Sequence, residues 1–150
     1  MKKISIILLS LWMLGTVPSY AQSNQDILNT YLAIKNDLIE ADASKAAKDI
    51  SALQKTIQAS DAQKNAALVK AVDKMAKANS IDKQRKEFEK VSPLLWDVIR
   101  NDKNIDQSIY YQYCPMKKAY WISAEESIKN PYYGKPMLTC GETVEKIDKK

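Results

Sequence analysis

The sequence predicts a mainly α-helical fold: an antiparallel bundle of about four helices, followed by a small C-terminal β-hairpin and an irregular region rich in Cys and Met. Three observations predict it. Apolar residues recur at helical spacing from residue 24 to about 101, the pattern of helices with one buried face. Ser23, Ser60 and Ser80 each stand where such a stripe begins, as N-cap residues do. After Asn101 the character changes to short aromatic and β-branched runs separated by Pro, Gly and Asn, as in strands joined by turns.

The first helix is expected over residues 24–41, with Ile27, Tyr31, Ile34 and Leu38 on its buried stripe and Leu28, Leu32 and Ile39 widening it. Ser23 and Asp26 have the spacing of a reciprocal cap. The second helix, over 43–59, repeats the pattern with Ala46, Ile50, Leu53 and Ile57. Ser60 and Gln63 suggest a capping box for a third helix over 61–78, striped by Leu68, Ala71, Val72, Met75 and Ala78. Met75 fits that stripe and reads as core. A fourth helix begins at Ile81, with Phe88, Val91, Leu95 and Val98 or Ile99 inward and Trp96 packed on its neighbours. Pro93 predicts a kink or a restart. Short connections make neighbouring helices antiparallel.

Ile109–Tyr113 and Ala119–Ser123 read as strands, with Lys117-Lys118 turning between them. Glu125–Lys129 is expected to make one helical turn, and Asn130–Gly134 to form a tight turn. Pro136–Cys140 reads as extended or irregular, with Gly141 permitting a backbone turn after the cysteine. The tail, residues 142–150, reads as polar and frayed.

The ends and the composition bound the function. Lys2 and Lys3 precede the apolar run Ile4–Val17, and Ser19-Tyr20-Ala21 supplies small residues at −3 and −1 of a cleavage site. That order predicts a secretory signal peptide over residues 1–21, too short an apolar run for a membrane span. A single exported, periplasmic domain over 22–150 is the expected mature form, with no membrane span after cleavage. Losing Lys2 and Lys3 lowers the net charge from +5 to +3. The remaining lysines alternate with acids, as in Lys83-Arg85-Lys86-Glu87-Glu89-Lys90, which reads as a solvated helix face and not a nucleic-acid patch. The chain has no histidine, so the commonest general base and metal nitrogen ligand are absent. It has no nucleophile elbow, phosphate loop or Cys-x-x-Cys pair, so a non-enzymatic role is expected.

Chemistry concentrates in residues 110–141. This stretch holds both cysteines, two of the five methionines and six of the eight tyrosines. Cys114-Pro-Met116 and Met137-Leu-Thr-Cys140 mirror each other. Thiolates and thioethers are soft ligands that select Cu(I) or Ag(I), so Cys114, Met116, Met137 and Cys140 are candidate ligands. Zinc, which wants four N or S ligands, fits less well. Tyr120 and Trp121 are candidate aromatics to shield a bound cation, or simply hairpin packing. The competing reading is a Cys114–Cys140 disulfide in a structural or interaction domain, worth ~3.5 kcal/mol by loop closure. The spacing leaves both open.

Several segments resemble a family of bacterial exported domains of unknown function. They are Tyr113-Cys114-Pro115-Met116, Tyr120-Trp121-Ile122-Ser123, Asn130-Pro131-Tyr132-Tyr133-Gly134 and Met137-Leu138-Thr139-Cys140-Gly141, with the opening Tyr31–Leu38 and the helix bearing Gln84, Arg85 and Phe88. The resemblance covers nearly all of residues 22–150. Members stand alone or are fused to periplasmic adaptor subunits of heavy-metal efflux pumps of the resistance-nodulation-division class. The resemblance implies a role around copper or silver export, with the Cys and Met motifs as ligands and such an adaptor as partner. Relatives often carry a histidine near the position of Glu87 and a longer loop after the Cys-Pro-Met, and this chain lacks both.

Overall fold

The computed structural model describes residues 23–148, so the expected signal peptide lies outside the described residues. Among the described residues, four α-helices, α1 (Asn24–Glu40), α2 (Ala43–Gln58), α3 (Ala66–Met75) and α4 (Ile81–Ile99), precede three strands, β1 (Ile109–Cys114), β2 (Ala119–Ser123) and β3 (Glu142–Ile147). The helices form a ring in which α1 and α3 each pack on both α2 and α4. The sheet is antiparallel in the order β2-β1-β3. One contiguous core joins the two regions, running from Ile27 to Tyr132. Among the described residues no helix is long and apolar enough to cross a membrane.

The expected stripes are the buried ones. Ile27, Leu28, Tyr31, Ile34 and Leu38 are fully buried on α1, as are Leu68 and Met75 on α3 and Phe88, Val91 and Leu95 on α4. Ser23 and Asp26 form the expected capping box. Trp96 stacks on Tyr111 at 4.6 Å, and the ladder continues through Tyr120 to Tyr113. The hairpin aromatics therefore pack on the bundle as expected.

Several expectations are corrected. The third helix starts at Ala66, not at residue 61, and ends at Met75. The Asn65 side chain accepts from Leu68 N at 3.1 Å and so caps it. Ser60 instead caps a separate 3-10 turn over Asp61–Lys64. Ser80 holds the N-cap position of α4 without a side-chain cap bond. That helix does not restart at Pro93 but runs through it to Ile99. Glu125–Lys129 is not helical. The Glu125 and Glu126 carbonyls instead accept from Gln112 Nε2 at 3.1 Å each. The tail is not frayed through residue 147: β3 pairs with β1, with a bulge opposite Tyr111/Gln112. Glu142–Lys146 are all exposed, so β3 lacks the alternation that marks a half-buried strand; main-chain pairing holds it in place.

The charged face of α4 is also only partly solvated. Arg85 is half-buried and donates from Nε to Pro131 O at 2.9 Å and from Nη2 to Leu38 O at 2.7 Å. Glu89 pairs with Lys117 of the hairpin turn at 3.1 Å. These contacts fasten α4 to the C-terminal region that carries the cysteines.

The candidate sulfur site

Cys114 ends β1 opposite Ala119 and is fully buried. A turn over residues 115–118 follows, in which Lys118 N donates back to Cys114 O at 2.8 Å and Lys118 takes φ 56°. Side chains alternate along β1, so Cys114 shares a face with Gln112, and Tyr113 points the other way. The segment over residues 124–141 covers the Cys114 face. Gln112 pins its start. Buried Asn130 pins its end, donating from Nδ2 to Cys140 O at 2.7 Å while its Oδ1 accepts from Tyr132 N at 2.8 Å.

Cys140 leaves a turn in which its N–H bonds Met137 O at 3.1 Å. The next residue, Gly141, has φ 152°, and a Cβ there would lie 2.7 Å from Trp121 Cη2 and 2.9 Å from Tyr113 O. Only glycine lets the chain pass so close beneath Trp121. This path brings the two sulfurs together: Cys114 Sγ and Cys140 Sγ, 26 residues apart, are 3.3 Å from each other. Both are free thiols. Cys140 is half-buried, and contact with the Cys114 thiol, with some desolvation, pushes its pKa above the ordinary thiol value. The Met116 main chain hydrogen-bonds the Cys140 sulfur and partly offsets that rise.

The other candidates are placed as follows. Met116 follows Cys114 by two residues on the turn, with 65 % of its surface exposed. Met137 is half-buried and contributes its carbonyl to the Cys140 turn. Trp121 is fully buried beside Gly141, on the cysteine side of the sheet. Tyr120 pairs with Tyr113 on the opposite face, the two rings tilted against each other at 4.6 Å. Glu125 and Glu126 are exposed and Glu142 lies on β3. Among the described residues no group of three or more His, Cys, Asp or Glu side chains is gathered closely enough to hold a metal ion. Coordination here would therefore rest on the two thiolates and on thioether sulfur.

The sequence reading missed the residues that support this site. Asn130 was legible only as a turn former, and Gln112 and Arg85 only as polar positions on a strand and a helix. The signal was present in one respect. Gln112 is a polar residue at a strand position whose cross-strand partner, Trp121, is large and apolar, which marks a buried polar group that must find partners.

The profile of a family described as "Protein of unknown function (DUF3347)" matches residues 27–107. It takes in Tyr31–Leu38 and the Gln84–Phe88 part of α4. It stops before Tyr113, so Cys114, Met116, Met137 and Cys140 lie beyond the matched residues and the likeness is narrower than the sequence motifs implied. No curated protein and no solved structure matches the chain.

Proposed function

Since this chain belongs to the DUF3347 family, we propose for it a non-enzymatic role as an exported, periplasmic holder of a soft monovalent metal ion. The cargo is Cu(I) or Ag(I), gripped by the Cys114 and Cys140 thiolates with Met116 as an added thioether and Met137 beside them. It buffers the ion or passes it to the adaptor of a heavy-metal efflux pump. The observation that carries this reading is the convergence of two cysteines to 3.3 Å beside a methionine held out in water. A side chain as apolar as Met116 gains nothing by packing at 65 % exposure, whereas a soft ion needs reachable sulfur. Binding must displace thiol protons, so affinity rises with pH, the more so because the Cys140 pKa is raised.

The test is a Cu(I) titration of the reduced chain against a competing chelator. Expected is a Kd well below roughly micromolar, lost in Cys114→Ser and weakened in Met116→Leu. A Kd of micromolar or weaker, or one unchanged in Cys114→Ser, defeats the reading.

The 3.3 Å contact itself favours a second reading. It is within side-chain adjustment of a bond of about 2.0 Å, so the pair would serve as a static disulfide in a structural or interaction domain. Free-thiol counts on protein taken directly from the cell, fully oxidised and unable to bind Cu(I) even after reduction, would favour it.

A further inference from the structure

The two cysteines differ in what can reach them. Cys114 is fully buried at the end of β1, paired with Ala119 of β2, one residue beyond the last β1–β3 pair, Tyr113–Glu142. Cys140 is half-buried and leaves a turn held by the Asn130 amide and the Met137 carbonyl. A reagent from solution meets Cys140 first, while Cys114 waits 3.3 Å behind it. Oxidation of a dithiol by an external disulfide can use this ordering, because it proceeds through a mixed disulfide that a second, adjacent thiol resolves.

We propose that the pair is a reversible gate on the metal site, in which Cys140 exchanges with a small external disulfide and Cys114 closes the ring. The gate rests on the reading that the reduced pair holds the metal. The Cys140 thiolate attacks one sulfur of R–S–S–R, forming Cys140–S–S–R. The first RS⁻ leaves and takes up the proton Cys140 has lost. The Cys114 thiolate then attacks Cys140 Sγ, the bond to the remaining RS breaks, and the Cys114–Cys140 bond forms. The second RS⁻ takes up the Cys114 proton. Two protein thiols are oxidised and one external disulfide is reduced to two thiols. Both thiolate ligands are consumed, so a bound ion is released. The reverse exchange, with two external thiols as reductant, restores the site.

The experiment exposes the reduced full chain to oxidised glutathione, quenches by alkylation, and maps the products by mass spectrometry. Wild type should pass to the intramolecular disulfide without accumulating a mixed one. Cys114→Ala should accumulate glutathione at Cys140, and Cys140→Ala should react at least ~10-fold more slowly, since the burial of Cys114 limits access. Thermal melts confirm that both variants fold. In parallel, Ag(I) is titrated into reduced and oxidised wild type, and binding should vanish on oxidation and return with reductant. Equal rates for the two variants, or Ag(I) bound equally well by the oxidised chain, overturns the gate. If the reduced chain binds no Ag(I) while the exchange order holds, the metal reading falls and the ordered dithiol exchange stands.

Discussion

In the bundle, α1 turns Ile27, Ile34 and Leu38 into the same core that α2 fills with Ile50, Leu53 and Ile57. In the C-terminal region the weight falls on single polar side chains that reach across to main-chain groups: Arg85 of α4 to Pro131, Gln112 to Glu125 and Glu126, Asn130 to Cys140. The bundle spreads its stabilisation over many interchangeable apolar contacts. The C-terminal region concentrates its own in a few directional bonds, each costly to leave unmade. A site built on the second principle holds its sulfurs in one place, at the expense of tolerance to change.

Three substitutions break or sharpen this contrast. The largest effect is expected at Phe88, fully buried and stacked on Tyr31 at 4.6 Å with Tyr132 at 6.2 Å on another side. It belongs to both regions, so Phe88→Ala should cost about 3–5 kcal/mol. Far-UV dichroism and Tyr/Trp fluorescence should then lose their signals at one lowered denaturation midpoint. Separate midpoints would show that the two regions unfold independently.

Tyr31→Phe comes next. Ile122 N–H donates to the Tyr31 hydroxyl at 3.1 Å; that hydroxyl lies 2.7 Å from Ser92 Oγ, which itself donates to Phe88 O at 2.9 Å. The variant keeps the ring and strands the Ile122 amide, at a cost of about 1–3 kcal/mol. Hydrogen exchange should accelerate at Ile122 while the amides of α2 and α3 change only as far as global stability does. Uniform acceleration would deny that the polar pins act locally.

The smallest effect is pH-dependent and concerns Lys35, 2 % exposed on α1 with its Nζ donating to Ser123 Oγ at 3.2 Å. Desolvation holds its pKa below the ordinary lysine value, partly countered by Glu125. The unfolded chain therefore binds this proton more tightly than the folded one, and stability from this group rises with pH from the depressed pKa to about 10.4. Lys35→Met should gain stability relative to wild type near neutral pH, and the gain should shrink toward pH 10. A gain constant across that range would mean that the ammonium is not destabilised by burial.

The contrast also explains what the sequence revealed. Helical periodicity identified the bundle because Ile27, Tyr31, Ile34 and Leu38 must repeat at the pitch of the element they bury. The same reading passed over Lys35 and buried Asp37, whose ion pair with Lys45 at 2.8 Å is a contact between helices that no spacing within α1 announces. The sulfur candidates were visible as residue types, and two of them, Cys114 and Cys140, converge at their side chains. Both readings of the sequence required these two to meet; what was not visible is the means, because it depends on Asn130, Gln112 and Gly141 folding a turn back over β1. Strand β3 was missed because exposed residues carry no alternation.

The two outer edges of the sheet have unequal fates. On β2, the Ile122 N–H is taken by the Tyr31 hydroxyl and the Tyr120 carbonyl by the Tyr132 hydroxyl. On β3, residues Glu142–Lys146 lie open to water. A growing stack of strands needs two receptive sides, one to join by and one to extend from. The Tyr31 and Tyr132 hydroxyls that anchor the sheet to the bundle therefore also occupy main-chain groups on its β2 edge, which a further strand would need.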